Sequence, residues 1–230
     1  MKERQEKLLK YIVREYIRNA KPVSSQLLER KYNLGVSSAT IRNEMAELTE
    51  KGYLIQPHTS AGRVPTEKAY KFYIKKCCQP KLSKFAERKL KRAFKIEEEM
   101  EEMLREIGKV LAWISKNLSI LIFEEEMVWE GLSQLASQPE FLEIEKIHKL
   151  LEVFEEICNE IELESILNGE EVKVFIGKDT PFKRERDLSL VVGGIKKRGA
   201  AMILGPMRMD YEKNIALIEK TKRLFEEIIL

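Results

Sequence analysis

The sequence predicts an α+β chain with two domains. Residues 1–76 read as a winged helix-turn-helix, residues 77–117 as one long linking helix, and residues 118–230 as an α+β domain built on a small sheet. Three observations carry that expectation. Residues 1–52 hold three short apolar patterns at helical spacing, separated by turn residues, and a Pro-to-Gly turn between apolar stretches follows them. Residues 81–117 are a charged helical stretch without proline, and Gly108 is its one glycine. Residues 170–230 run strand, strand, strand, helix: VKVFIG, LSLVVGGI and AAMILG, then a helix after Asp210.

In the first helix Leu8, Leu9, Ile12, Val13, Tyr16 and Ile17 recur at helical spacing. It ends before Lys21-Pro22, because the residue ahead of a proline avoids the α region. Ser24 or Ser25 caps a second helix carrying Leu27 and Leu28. That helix stops near Tyr32-Asn33-Leu34-Gly35, where Gly35 takes a positive φ. Ser37 caps the third helix, SATIRNEMAELTEKG, and Gly52 ends it. Two short helices joined by a tight Gly-containing turn are the helix-turn-helix pattern. Tyr53, Leu54 and Ile55 then read as a strand, Pro57 to Gly62 as a turn and Arg63-Val64-Pro65 as the return. Such a hairpin is a wing with His58, Thr59, Ser60 and Arg63 at its tip; a generic loop is the plainer alternative. Beyond the long helix, SILIF is a short apolar run ending at Phe123, and a further helix covers roughly 140–161 after Pro139.

On the third helix Ile41, Met45 and Leu48 share one face at 100° per residue and pack inward. The opposite face carries Ala39, Arg42, Asn43, Ala46 and Glu50, flanked by Ser38 and Thr40 in the first turn. Inserted in a major groove, that end presents Ser38, Ala39, Arg42 and Asn43. Arginine forks onto guanine O6 and N7, asparagine onto adenine N6 and N7, and Ala39 or Ala46 can meet a thymine methyl. Ser24, Ser25 and Gln26 open the second helix, where free N–H groups suit a phosphate. Together with Thr40 and with His58, Thr59 and Arg63 of the hairpin, these are the candidate contacts to double-stranded DNA. An Arg-Asn pair by itself is equally a solvated helix face; its position on this helix of this motif gives it weight.

The net charge of +3 hides an asymmetry. Residues 1–95 hold about 23 Lys/Arg and about 9 Asp/Glu, roughly +14, and the remainder is roughly −11. A basic N-terminal part suits a polyanion. Hydrophobic residues make up 43% of the chain, enough for packed cores. No run of about 18 apolar residues exists, so no membrane span is expected. The start, MKERQEKLLKYIVREY, is charged and periodic rather than a signal sequence. Cys77, Cys78 and Cys158 lack metal-ligand spacing and read as reduced thiols of a cytoplasmic protein.

The stretches KPVSSQLL, LGVSSATIRNEMAELTEKGYLIQPHTSAGRVPT and KAYKFYI resemble the N-terminal domain of the HrcA family of bacterial heat-inducible transcription repressors. VKVFIGKD, RDLSLVV and LGPMRMDYEKNIALIEKT resemble that family's ending, and LSQLASQPEF a middle segment. PHTSAGRVPT together with GPMRMDY is much more specific than a helix-turn-helix alone. The resemblance implies a winged-helix domain, a GAF-like domain and a dimerising domain inserted into the latter. It also implies repression of chaperone operons at an inverted-repeat operator called CIRCE, with a GroEL-type chaperonin keeping the repressor active. The chain departs from the pattern in being about a hundred residues shorter, a length effect placed between Phe123 and EEMVWEGLSQLASQPEF. The inserted domain and some GAF-like strands belong there, so a reduced GAF-like sheet and a different dimer are expected. Ser38 stands where relatives often carry proline, and the first helical position tolerates either.

An inverted-repeat operator demands two recognition helices about a two-fold axis, hence a homodimer. The long helix offers Leu90, Ala93, Met100, Leu104, Ile107, Leu111, Ile114 and Leu118 in alternating three- and four-residue steps, interrupted at Glu97. That seam suits either a coiled coil between chains or packing against the chain's own C-terminal domain, and Trp113, Trp129 and Phe141 can join either core. An enzyme is the first rival class. His58 and His148 are far apart and lack a Cys or carboxylate constellation, and Gly193-Gly194 and Gly199 read as strand-end turns. Adjacent Cys77-Cys78 can be oxidised, yet plain thiols are the commoner case. No catalysis, cofactor or metal is expected. Single-stranded RNA readout favours exposed aromatics, and the third helix's outer face has none. The remaining alternative is a divergent winged-helix regulator or nucleic-acid-binding module with another target and no chaperonin response.

Overall fold

The structure is a computed structural model. It describes the chain apart from residues 60, 96–98, 161–170, 183–186, 197 and 230, and apart from the side chains of 158–160 and 229. The chain divides into two compact units, Met1–Cys78 and Gln79–Leu230.

The first unit holds α1 (Glu3–Asn19), α2 (Ser25–Lys31), α3 (Ser38–Glu50), an antiparallel hairpin of β1 (Leu54–Ile55) and β2 (Val64–Pro65), and α4 (Glu67–Lys76). Local chemistry sets the boundaries. α1 ends at Ala20, which adopts a left-handed φ of 51° just ahead of Lys21-Pro22. The Ser24 hydroxyl accepts from the Leu27 N–H and the Ser37 hydroxyl from the Thr40 N–H, so each serine satisfies a helix-end donor. Gly35 and Gly52 take φ of +68° and +74° where the chain leaves α2 and α3. Leu8, Leu9, Ile12 and Val13 of α1, Leu28 of α2, and Ile41, Met45 and Leu48 of α3 are buried together with Tyr70 and Tyr73 of α4.

The second unit is a five-stranded antiparallel sheet covered on both faces. Its strands are β3 (Leu118–Phe123), β4 (Glu126–Glu130), β5 (Lys173–Ile176), β6 (Leu188–Ile195) and β7 (Gly199–Pro206), in the order β4-β3-β7-β6-β5. β3, β6 and β7 are buried along their whole length, which is why they read as continuous apolar runs rather than alternations. One face carries Leu118, Ile120, Leu190, Val192, Met202 and Leu204 under α7 (Leu132–Ala136), the 3-10 turn Pro139–Phe141 and α8 (Ile144–Glu160). The other carries helices α6 (Met100–Ser115) and α9 (Tyr211–Ile229), with α5 (Lys84–Ala93) packed on those two helices. Two of the family-like stretches meet in this unit: Arg208 of GPMRMDY pairs with Glu140 of SQPEF and donates to Gln138. Within GPMRMDY, the buried Tyr211 hydroxyl donates to the Met207 carbonyl at 2.6 Å.

The structure corrects several expectations. The linking helix over residues 77–117 is two helices, α5 and α6, and the chain turns at Phe94-Lys95. At that turn the Phe94 ring sits edge-on against Phe225 of α9, with centroids 4.8 Å apart, so the break coincides with a core contact. Leu90, Ala93, Leu104, Ile107 and Leu111 are buried inside the unit, Ile114 is half-buried, and Leu118 belongs to β3. These residues fill the chain's own core and leave no continuous seam for a partner; Met100, at the start of α6, stays exposed, and Glu97 lies outside the described residues. Phe141 joins the core, whereas Trp113 and Trp129 are exposed. EMVWE, which the sequence did not mark, is strand β4, paired with β3 across a turn at Glu124-Glu125. That turn lies where the family resemblance implies a longer segment, between Phe123 and EEMVWE.

Candidate nucleic-acid interface

The candidate residues of the first unit divide between a helix surface and an adjoining cleft. On α3, Ala39, Arg42 and Asn43 are exposed, Ser38, Thr40 and Ala46 half-buried, and Ile41, Met45 and Leu48 face the core. Two polar links on its back side hold α3 against α1. The Arg4 Nε donates to the nearly buried Glu44 at 2.7 Å, and the Gln5 amide donates to Glu47 at 2.6 Å. A buried carboxylate needs such a partner. Glu44 and Glu47 are thereby tied to α1, and Arg42 and Asn43 stay exposed on the outer face.

The cleft has a volume of 410 Å³ and runs between the start of α2, the face of α3 and the hairpin. Ser24, Gln26, Arg42, Gln56, Thr59 and Arg63 are among the residues that line it. Ser24 and Gln26 are exposed at its rim, and Ser25, only 7% exposed, lines it as well. Ser38 is also engaged: its N–H donates to the Glu29 carboxylate at 2.9 Å, which places a negative charge at the first turn of α3.

The hairpin is fastened at its base. Arg63 and Val23 exchange two backbone hydrogen bonds of 2.8 and 2.9 Å, so β2 is flanked by β1 on one side and by the α1–α2 connection on the other. Gly62 makes this approach possible, since a Cβ there would lie 2.3 Å from the Val23 carbonyl oxygen. Arg63 is therefore at the base of the hairpin and not at its tip. Its side chain turns back to α3, where Nε donates to the Thr49 hydroxyl at 3.1 Å, and that hydroxyl donates to the Met45 carbonyl. His58 and Thr59 are at the exposed tip, and Ser60 lies outside the described residues. The Gln56 amide donates to the carbonyls of Thr59 (2.8 Å) and Ala61 (3.1 Å) and closes the loop on itself. Thr49, Glu29 and Val23 escaped the sequence reading because their partners lie in other elements; Gln56, whose partners lie in its own loop, was the one with a local hint, its place at the head of a turn.

A charged network fixes α2. Glu15 of α1, 1% exposed, accepts from the Tyr32 hydroxyl at 2.6 Å and pairs with Lys31 at 2.7 Å. Burial pushes the Glu15 pKa up, but the hydrogen bonds from Lys31 and Tyr32 outweigh it and hold the carboxyl below its ordinary 4.5. Burial and the bond to Glu15 push the Tyr32 phenol up to about 12. The Tyr32 ring also stacks on Tyr11 with centroids 4.0 Å apart. The end of α2 is thereby clamped to α1, while its start faces the cleft.

The chain matches a family model described as the HrcA protein C-terminal domain over residues 69–215. It is 28% identical to a protein of Carboxydothermus hydrogenoformans named heat-inducible transcription repressor HrcA, across 99% of this chain and 98% of that one. That alignment spans 334 positions, against 230 residues here, so the relative carries a long stretch that this chain lacks. A protein of the same name from Acetivibrio thermocellus is 44% identical over 117 residues, covering 51% of this chain and 32% of its own length. A solved structure titled as a hypothetical protein superposes with a TM-score of 0.76 at 24% identity, covering 99% of this chain and 97% of that one, so the fold is shared. No described helix is long and apolar enough to cross a membrane. With a family model matched across more than half its length, the chain belongs to the HrcA family.

Proposed function

We propose that this chain is a heat-inducible transcription repressor that binds an inverted-repeat operator in double-stranded DNA as a homodimer. In this reading the first unit is a winged helix-turn-helix, with α3 as its recognition helix and the β1–β2 hairpin as its wing. The second unit is a reduced GAF-like domain for regulation and pairing. The observation that carries the proposal is the exposed Arg42-Asn43 pair on α3 beside a cleft rimmed by Ser24, Gln26 and Thr59. Arg42 and Asn43 are the base readers; Ser24, Gln26, His58 and Thr59 meet phosphate or sugar and set the register. Arg63 acts first on the shape of the cleft, through Thr49. Relatives named as heat-inducible repressors support the regulatory role, and the family resemblance adds a GroEL-type chaperonin as the partner that keeps the repressor active.

The test is a gel shift comparing an inverted-repeat operator with a scrambled duplex at fixed salt. Arg42→Ala or Asn43→Ala is expected to cost ~1–3 kcal/mol on the operator and to relax its sequence preference. Equal losses on both duplexes would remove base reading from these residues. Wild-type protein that does not distinguish the duplexes would refute the operator reading altogether.

A further inference from the structure

α8 has more apolar surface than its sheet can cover. Leu150, Val153 and Ile157 are 1%, 0% and 2% exposed and face the strands. A second row, Ile144, Ile147, Leu151 and Phe154, runs beside them in steps of three, four and three residues. Ile144 and Leu151 are 73% and 41% exposed, and Ile147 and Phe154 are half-buried. Leu142, 72% exposed, extends the row at its start, and Trp129 on edge strand β4 widens it by packing edge-on against Phe154 at 5.3 Å. A helix facing one sheet needs an apolar arc of about 100°, and the two rows together span roughly 180° at 100° per residue. Isolated exposed apolar side chains are ordinary, whereas a contiguous row in heptad-like spacing is the shape of a helix–helix contact.

We infer that this row is the face on which a second copy of the chain docks, with α8 against α8 in antiparallel orientation about a two-fold axis near Leu151. The charges beside the row select that occupant. His148 and Glu155, both exposed, flank it on its outer side seven residues apart. An antiparallel pair brings His148 of each copy against Glu155 of the other, an N–H donor against a carboxylate, twice by symmetry. A parallel pair sets His148 on His148 and Glu155 on Glu155. The face is thus self-complementary in one orientation only, as a two-fold interface requires. α5 and α6 are spent on the internal core, so α8 supplies what they cannot. The inference rests on the operator reading only for its purpose, since pairing is measurable without DNA.

Sedimentation velocity on the full chain at micromolar concentration tests it. Wild-type protein is expected at twice the 26.9 kDa chain mass. Leu151→Glu and Glu155→Lys are expected to be monomeric with unchanged far-ultraviolet circular dichroism, because both residues are exposed. The exchange His148→Glu with Glu155→Lys keeps opposite charges facing and is expected to restore the pair that Glu155→Lys loses. A monomeric wild type, or a Leu151→Glu variant that still pairs, overturns the interface. Gel shifts on the same proteins separate the two readings. A chain that pairs through α8 but ignores the operator keeps this inference and ends the proposed function; a wild type that reads the operator as a dimer, with Leu151→Glu still paired, does the reverse.

Discussion

Gly62→Ala is expected to unfasten the hairpin. An ideal Cβ at this position would stand 2.3 Å from the Val23 carbonyl oxygen, 2.4 Å from its carbonyl carbon and 2.8 Å from its nitrogen. All three are backbone atoms, so no rotamer change relieves the clash. Relief requires moving the hairpin away from the α1–α2 connection, which breaks the two Val23–Arg63 hydrogen bonds. Each such bond contributes about 1 kcal/mol net, and overpacking at a close contact costs ~1–3 kcal/mol. Because the movement that breaks the two bonds also relieves most of the overpacking, the local opening free energy is expected to fall by ~2–3 kcal/mol, and at 1.4 kcal/mol per factor of ten the Val23 and Arg63 amides exchange roughly 30- to 140-fold faster. Hydrogen–deuterium exchange on the full chain reads this directly. Gly35→Ala is the control: its Cβ points into open space, and its φ of +68° costs about 1 kcal/mol at the turn without touching the hairpin. Wild-type protection at Val23 and Arg63 in Gly62→Ala, or an equal loss there in Gly35→Ala, would refute the reasoning.

Four further expectations concern the same unit. Gln56→Ala frees the Thr59 and Ala61 carbonyls from their clamp, so operator affinity is expected to drop several-fold in gel shifts while thermal stability stays nearly constant. Tyr32→Phe leaves the buried Glu15 carboxylate one hydrogen bond short and is expected to cost ~1.5–3 kcal/mol in urea titration at pH 7. The folded state favours charged Glu15, so its contribution is complete above pH 4.5 and is lost as pH falls below that value; wild type is expected to lose more stability on acidification than Glu15→Gln. The folded state also keeps the Tyr32 proton, so that contribution holds below pH 10.0 and declines as pH rises towards 12. A spectrophotometric titration is expected to show one phenol ionising near pH 12, shifted down in Glu15→Gln.

The parts of the fold that were legible in the sequence are those made by contacts within a few residues. Ser24 and Ser37 cap helices, Gly35 and Gly52 stop them, and Ile41, Met45 and Leu48 face inward, because spacing and side-chain chemistry decide each locally. Long-range register was not legible. Nothing in the helical period of residues 81–117 announces that Phe94 packs on Phe225, and no proline or glycine marks the turn beside it; the interruption at Glu97 was its one trace. β4 was missed because EMVWE has glutamates at both ends and becomes a strand only through pairing with β3. Within the candidate interface, the outer face of α3 followed from periodicity. The burial of Ser25 and the return of Arg63 to Thr49 follow from how α2 and the hairpin sit against their neighbours.

The strand order leaves β4 and β5 at the two margins of the sheet, and both are short, at five and four residues. An open margin is a template on which a misfolded chain can add a strand and seed aggregation. Here β4 begins at Glu126 and ends at Glu130, and β5 begins at Lys173, so an intruding strand meets charge at either side within a few residues. The long, fully apolar strands β3, β6 and β7 are enclosed between these margins. The margins of the sheet are thus poor templates for recruitment by an unravelling neighbour.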